Sequence, residues 1–300
     1  MSEPTHHPLR AIALFLMAML LFATLDTTAK HLAQTFPVPM LVWARYTFHF
    51  LLMLLVLGWS MRGRLIATRH PVEQVLRALL LVATTGFGVA ALRIMPLAES
   101  TAIFFVAPLI VTVLAVPLLG EAVGGRRYVA VLAGFAGVLL IARPGGTLPA
   151  TGVAAALVAA VAYSGYQILT RRIARHENAV TMVFYTALVG TAVMTLALPW
   201  YWSGPMPDWR QALLICSLGI YGGTGHFLLT RAFRLAPAST LSPFQYVQLV
   251  WATLLGWLVF GQLPDGLSMA GGLVIAASGV AIALDERRSG ASGRRSARRS

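Results

Sequence analysis

The stretch ALRIMP, residues 91–96, returns as AFRLAP at residues 232–237, and this pair of stretches decides how the chain is organised. Its Ala, Arg and Pro positions coincide at a shift of 141 residues, and the same shift places Gly120 on Gly261 and Lys30 on Arg171. Each match alone is weak, but one constant shift from the first helix to the ninth predicts two related halves. We place the halves at residues 9–143 and 151–285, between an N-terminal segment (1–8) and an Arg-rich tail (286–300).

Ten apolar runs fill these two halves. Of the 300 residues, 58% are hydrophobic and 11% are charged, whereas a soluble domain has about 25% charged residues. A membrane-spanning helix needs about 20 apolar residues. The sequence therefore predicts an all-α integral membrane protein with ten spans, five in each half. The spans begin near Leu9, Val38, Val72, Leu97, Tyr128, Thr151, Ala179, Arg210, Ala238 and Gly266.

The basic residues predict the orientation. With the N-terminus inside, only Lys30, Arg93, Arg143 and Arg210 lie at outer ends and Arg45 lies within a span, so all other Lys and Arg residues lie at inner ends. The positive-inside rule then places both termini in the cytoplasm. We expect the protein to lie in the inner (plasma) membrane. This distribution explains the net charge of +13 without nucleic acid. We expect a polar tail without regular structure that faces anionic lipid.

An odd number of spans per half inserts the second half upside down. Inverted repeats are typical of secondary transporters, because two related halves can expose a midplane site to each side in turn. Cys216 is the only cysteine, so no intrachain disulfide forms. Lys30 is the only lysine and follows alanine, so no phosphate-binding loop for ATP is present. We expect no cofactor and no metal.

Three stretches carry a family resemblance: PLAESTAIFFVAPLIVTVLAVPLLGE (96–121), GGTGHFLLTRAFRLAPASTLSPFQYVQLVWATLLGWLVFGQLPDG (222–266), and LDTTAKHL followed by WARYTFHF (25–50). They resemble the EamA-type transporters of the drug/metabolite transporter superfamily over about residues 10–285. The resemblance implies ten helices in two inverted halves, a central cavity and transport of a small organic metabolite. Substrates of that superfamily include amino acids, nucleotide-like cofactors, vitamins and metal-chelating opines. Gln262 occupies a position where the family often has Glu after Gly. This departure argues against a functional acid in that loop of the second half.

The charged groups of the first half are the first candidates for a site. At the shift of 141, Asp26 falls on Gln167 and Arg45 falls on Thr186, so the charges break the repeat. Asp26 and Arg45 lie at similar depths on either side of the turn at Phe36. Either they form an ion pair that fixes two helices, or they line the cavity and bind a zwitterionic substrate or exchange protons. Lys30 is an alternative partner, or extends its side chain to the interface.

Two further groups have two interpretations each. Glu99 is either a first-turn acid favoured by the helix dipole or a proton-coupling carboxylate near the outer mouth. His49 either packs between helices or relays protons. Glycines in TTGFG (84–88) and YGGTG (221–225) permit close helix approach or bending, and we favour a packing role over a chemical one.

Polar and aromatic residues of the second half form another candidate patch. We expect His226 and Gln245 to meet at one depth, and Gln248 and Trp251 to follow at three-residue spacing. The sixth span carries a similar mixture of Tyr163, Tyr166 and Gln167. This patch either binds an organic ligand or makes interhelical hydrogen bonds.

We interpret the chain as a secondary transporter of an amino-acid-like, zwitterionic or opine- or metallophore-like metabolite. Export is favoured, and proton coupling is a hypothesis. The alternative is uptake of a cofactor or vitamin resembling S-adenosylmethionine or riboflavin. A non-transporting membrane scaffold or an enzyme is more remote, because the short loops carry no metal or nucleophile motif. The expected partners are the substrate and the lipid bilayer, and the sequence favours neither monomer nor homodimer.

Overall fold

The structure is a computed structural model that describes residues 8–61, 65–120, 124–143, 146–174, 176–202, 204–236 and 238–297. Almost all of the predicted N-terminal segment lies outside these ranges, as do Arg62, Arg64, Glu121, Arg175 and Pro237. Its helices are α1 (Pro8–Leu32), α2 (Val38–Met61), α3 (Pro71–Ile94), α4 (Leu97–Phe104), α5 (Ala107–Leu119), α6 (Gly125–Ala142), α7 (Ala150–Ile173), α8 (Ala179–Tyr201), α9 (Trp209–Leu235), α10 (Ala238–Leu241), α11 (Val247–Phe260) and α12 (Gly266–Ala297).

The described part of the chain contains ten helical segments that are long and apolar enough to span a membrane, which confirms the all-α membrane fold. The predicted starts are close to the observed ones. The fourth span is broken into α4 and α5, and the ninth is broken into α10, a 3₁₀ turn at Ser242–Tyr246, and α11. Both breaks lie at corresponding points of the repeat, since Phe105 maps onto Tyr246. Helix α12 also continues to Ala297, so the expectation of a tail without regular structure was wrong.

Helix packing follows the repeat. The pair α1–α9 has its counterpart in α3–α7, and α2 packs on α8, its own equivalent. Gly120 and Gly261 end α5 and α11 with the same left-handed backbone, at φ 67° and 66°. Glycine adopts this conformation without the steric cost that a Cβ would bring. These matched pairings and matched caps are what two inverted copies of one five-helix unit produce.

The last helices of the two halves, α6 and α12, form an antiparallel pair. Arg127 Nε donates to Asp285 Oδ2 at 2.8 Å at one end, and Arg143 pairs with Asp265 at the other. Hydrogen bonds from Arg143 and from the Ser268 backbone lower the pKa of Asp265 to about 2. Between these ends the helices touch at glycines, because a Cβ on Gly271 would lie 2.6 Å from the Gly137 carbonyl oxygen.

We call the two membrane faces of the bundle the Lys30 face and the Arg171 face, after two basic residues that occupy equivalent positions in the repeat. Helices α1 and α3 end at the Lys30 face, and α7 and α9 end at the Arg171 face. In the orientation that the sequence predicts, the Lys30 face is outside and the Arg171 face is cytoplasmic.

Glycines on α9 let it approach its neighbours. A Cβ on Gly225 would lie 2.7 Å from the Phe22 ring, and one on Gly219 would lie 2.6 Å from the His49 backbone nitrogen. Helices α1 and α2 therefore lie directly against α9. In the first half the interpretation of close packing was wrong, because a Cβ added at Gly86 or Gly88 would have no described atom within 4 Å.

Candidate functional site

A cavity of about 160 Å³ lies near the centre of the bundle, between α1, α2, α3, α4, α7, α9 and α11. Five of the predicted site residues line it: Asp26, Arg45, Tyr163, His226 and Gln248. The other lining residues are Phe22, Leu25, Leu81, Thr84, Thr85, Gly88, Val89, Leu92, Ser100, Thr101, Phe104, Ala156 and Ala159. Both halves contribute, and most of the wall is apolar, as in sites for organic ligands.

Asp26 and Arg45 face this cavity from α1 and α2. No ion pair joins them in the described part of the chain, so the first of the two interpretations, an ion pair that fixes α1 to α2, does not hold there. Asp26 instead accepts a hydrogen bond from Gln248 Nε2 at 3.3 Å. Arg45 donates to no other side chain among the described residues. A negative and a positive group thus line one cavity without an ion pair between them.

Aromatic rings form one side of the cavity. Tyr163 lies 5.2 Å from Phe104 between ring centroids, and Tyr166 stacks on Tyr163 at 5.7 Å with an interplanar angle of 20°. Tyr166 itself does not line the cavity. These rings offer apolar area at fixed orientation, which suits a planar or aliphatic ligand body.

Two histidines well inside the spans, His49 and His226, lie together. The rings of His49 and His226 are parallel within 4°, with centroids 6.1 Å apart, and His226 also meets Phe22 edge-on at 5.1 Å. Only His226 reaches the cavity. His226 shares the cavity wall with Gln248 and not with Gln245, and no hydrogen bond joins His226 to Gln245, both of which the structure describes. The 3₁₀ turn at Ser242–Tyr246 changes the helical phase before α11 begins.

Four other predicted residues lie elsewhere. Lys30 is buried at the Lys30 face, where Nζ donates to the carbonyl oxygens of Leu92 and Met95. Glu99 is 6% exposed and lines a separate apolar crevice between α4, α11 and α12. Trp251 packs against a cluster of α1 and α9 side chains. Gln167 is half-buried and does not line the cavity.

Arg77 is a buried cation that the sequence reasoning placed among the inner-end arginines. It lies inside α3 and is 1% exposed. Its guanidinium donates to Gln74 Oε1, Thr186 Oγ1 and the Met182 carbonyl oxygen, and it lies 5.2 Å from the Tyr166 ring centroid. Only its position six residues after Pro71 could have indicated a place within the helix. It holds α3 against α7 and α8.

A polar contact joins two loops at the Arg171 face. Glu177 accepts hydrogen bonds from Thr68 Oγ1 at 2.8 Å and from the Arg69 backbone at 2.9 Å. Partial burial raises the pKa of Glu177, but these hydrogen bonds and the nearby His70 lower it by more than burial raises it. The pKa of Glu177 is therefore below its usual value. The segment before α3 is thereby tied to the segment before α8.

No group of three His, Cys, Asp or Glu side chains within the described residues could hold a metal ion. The site consists of one acid, one base, an amide, a histidine, hydroxyls and aromatic rings inside ten membrane spans. These features define a multi-pass membrane protein with a central, mainly apolar cavity.

The chain belongs to the EamA-like transporter family, which it matches over residues 9–143 and again over residues 150–284. It is therefore a transporter of the drug/metabolite type and not an enzyme. The match of each half to the same family also fits the ten-helix repeat.

Three curated relatives align with nearly the whole chain. The S-adenosylmethionine uptake transporter of Rickettsia prowazekii is 26% identical, covering 96% of this chain and 97% of the relative. The riboflavin transporter of Vibrio cholerae is 28% identical, covering 91% and 92%. The pseudopaline exporter of Pseudomonas aeruginosa is 26% identical, covering 92% and 96%. These names support a small-molecule transporter, and they differ in substrate and direction.

A solved structure described as "Crystal structure of protein" has the same fold. It aligns with a TM-score of 0.66 and 23% sequence identity, covering 93% of this chain and 98% of that one. At this identity the likeness concerns the fold alone.

Proposed function

We propose that the protein is a secondary transporter for a metabolite that carries an α-amino-acid group. The ammonium of this group would lie against Asp26, and its carboxylate would lie against Arg45. The observation that carries the proposal is that these opposite charges line one cavity without contacting each other. A buried pair of separated charges is costly unless something compensates it, and a zwitterion supplies both missing charges.

The remaining walls fit the rest of such a molecule. Gln248 donates to Asp26 and holds its carboxylate towards the cavity. Phe22, Phe104 and Tyr163 offer apolar surface. Sites for drug-sized ligands have volumes of about 300–1,000 Å³, whereas this cavity has about 160 Å³. We propose that it holds the zwitterionic head and that a larger body extends along α7 towards the Arg171 face.

Transport is proposed to be coupled to protons. Among the cavity-lining residues that the structure describes, Asp26 is the only carboxylate. A carboxylate that binds either a proton or a substrate ammonium, but not both, exchanges one for the other. Glu99 and His49 lie outside the cavity and are proposed to be structural, since Glu99 lies in the first turn of α4 and His49 packs on His226.

A second candidate is uptake of a cofactor. It is favoured by the S-adenosylmethionine uptake transporters, one of which aligns with 96% of this chain. The methionine part of S-adenosylmethionine is itself an α-amino acid, so the same two charges would recognise it. The proposed location is the inner membrane. Both termini are proposed to lie in the cytoplasm, which the distribution of basic residues supports.

The test is flux through vesicles that contain the whole chain. Metabolites inside cells and in the medium are first compared with and without the protein, and the best candidate is then measured with pH gradients of either sign. Asp26→Asn is expected to reduce flux about thirtyfold or more, the loss typical of breaking a buried charge contact. Asp208→Asn makes the same chemical change at the exposed N-cap of α9 and should leave flux unchanged.

Arg45→Gln is expected to behave like Asp26→Asn, and Arg93→Gln at the surface serves as its control. Analogues that lack the amino or the carboxylate group should be transported poorly. Full activity of Asp26→Asn, or equal transport of those analogues, would contradict the proposed recognition. Indifference to pH gradients would remove proton coupling and leave exchange or facilitated diffusion.

A further inference from the structure

Lys30 fastens two helices at the Lys30 face. Its Nζ, at the end of α1, donates to Leu92 O at 2.9 Å and to Met95 O at 2.5 Å. These are carbonyl oxygens at the end of α3, which have no partner inside the helix. Lys30 is 5% exposed, and its Nζ lies 5.2 Å from the Phe260 ring centroid. The contact joins the end of α1 to the end of α3.

Arg171 is the repeat equivalent of Lys30, and its surroundings differ. It lies in the last turn of α7, where it is exposed. No hydrogen bond or ion pair joins it to another described residue. One member of the related pair is thus buried and bonded, and the other is exposed.

The acceptors that Arg171 would need are present. Leu92 and Met95 map onto Phe233 and Ala236 at the end of α9. Both helices end in the same way: the N–H of Met95 bonds to Ala91 O at 2.9 Å, and that of Ala236 bonds to Ala232 O at 3.1 Å. Both end residues have extended backbone, with ψ 154° and 150°. The carbonyl groups at the end of α9 are therefore arranged like those that bind Lys30.

The helices themselves show the same asymmetry. Helix α3 packs against α1 and α2, whereas α9 has almost no close approach to α7 or α8, which are the equivalent neighbours, within the described residues. Helices α1 and α3 are thus joined at the Lys30 face, whereas the described residues of α7 and α9 are not joined in the same way at the Arg171 face.

We propose that Lys30 and Arg171 are alternating latches of the transport cycle. In the state seen here, Lys30 holds α3 and closes the Lys30 face. In the opposite state, Lys30 releases α3, and Arg171 donates to the carbonyl oxygens of Phe233 and Ala236 and closes the Arg171 face. This rests on the proposed transporter function and assigns a role to Arg171, which lies outside the substrate cavity.

The exchange balances the two states. Each state has one cation bonded to helix-end carbonyl groups and one cation in solvent, and each cation favours the negative end of a helix dipole. Inverted repeats give access from either side by exchanging the arrangements of their halves. A latch in only one half would leave the opposite state without an equivalent contact.

The first test is transport by single variants of the full chain. Arg171→Met should reduce the turnover rate about tenfold, the effect of one lost charge-assisted hydrogen bond on the population of the second state. Substrate binding from the Arg171 face should stay unchanged. Arg172→Met is the matched control, because it removes the same charge from the neighbouring exposed position. Equal turnover in the two variants would overturn the proposal.

The second test measures helix distances with spin labels in a Cys216→Ser background. One pair of labels at His31 and Ile94 reports on the Lys30 face, and another at Ala174 and Phe233 reports on the Arg171 face. Lys30→Met should lengthen the first distance and shorten the second. Adding Arg171→Met should abolish the shortening. Unchanged distances in Lys30→Met would contradict the proposal.

Folding and function are separated by two further variants. Lys30→Arg keeps the donor and should keep the wild-type distances. If Lys30→Met does not fold, the distance between the labels at Ala174 and Phe233 is measured instead with saturating substrate, with Lys30→Arg as the folded variant at Lys30. Substrate should shorten this distance in wild type and in Arg172→Met, but not in Arg171→Met. Asp26→Asn should lose flux. Adding Lys30→Met to Asp26→Asn should still change both spin-label distances. Failure of substrate recognition and failure of the latches are therefore distinguishable.

Discussion

Gln248 donates a 3.3 Å hydrogen bond to the carboxylate of Asp26, and these two residues come from opposite halves of the chain. The contact places an amide of α11 beside the acid of α1 at the cavity wall. Substrate recognition in the proposed site therefore depends on both halves being in register.

The two glutamines of this segment are expected to differ in function. Gln248→Ala removes the hydrogen bond to Asp26 and should weaken substrate affinity about tenfold, since a hydrogen bond to a charged group contributes about 1.5–3 kcal/mol. Gln245→Ala, three residues earlier and away from the cavity, should leave affinity within about twofold. Binding isotherms for both variants check this. Equal losses would show that the 3₁₀ turn does not set the phase of the site.

Filling the cavity should block transport. Gly88 lines the cavity and Gly86 does not, and neither has described atoms within 4 Å of an added Cβ. Gly88→Val is expected to fold normally and to lose most of its flux, because its methyl groups occupy the space of the substrate. Gly86→Val is the control on the same helix and should retain flux. Vesicle flux together with thermal unfolding separates blockage from misfolding.

Close contact of α6 with α12 is expected to be sensitive to one methyl group. Gly271→Ala would place a Cβ 2.6 Å from a carbonyl oxygen. Overpacking costs about 1–3 kcal/mol, which exceeds the roughly 1 kcal/mol that alanine gains over glycine in a helix. The melting temperature in detergent should fall. Gly266→Ala, at an open position in the first turn of α12, should leave it unchanged or raise it.

The tie between the loops at the Arg171 face should depend on pH. Because the pKa of Glu177 is lowered in the folded state, its carboxylate stabilises the fold above the ordinary glutamate pKa of about 4.3. That contribution is lost as pH falls through the lower folded value. Glu177→Gln should melt below wild type at pH 7, and the difference should shrink at pH 3. Glu73→Gln, at a surface glutamate near His70, should show a smaller effect at pH 7.

Apolar run length and the 141-residue shift were sufficient to predict the fold. Counting residues from the turn at Phe36 also brought Asp26 and Arg45 to one depth, and both line the cavity. Gly88 and Thr84 were not predicted to line it, because a span that is apolar on every side does not show which side faces the centre.

Contacts between residues far apart in the chain could not be predicted from the sequence. The partners of Lys30 are backbone carbonyl groups, which no residue type marks in advance. The break of the ninth span at Ser242–Tyr246 rotates Gln245 away from the cavity and brings Gln248 to it. Uninterrupted helical spacing could not predict that rotation.

The antiparallel α6–α12 pair has a practical consequence for taking the protein apart. It joins the two halves by ion pairs at both ends, while the chain connects them only through the short segment between Ala142 and Ala150. We expect a gene cut within that segment to yield two co-expressed fragments that reassemble into an active carrier. A split reporter fused across the cut would then count assembled molecules in living cells.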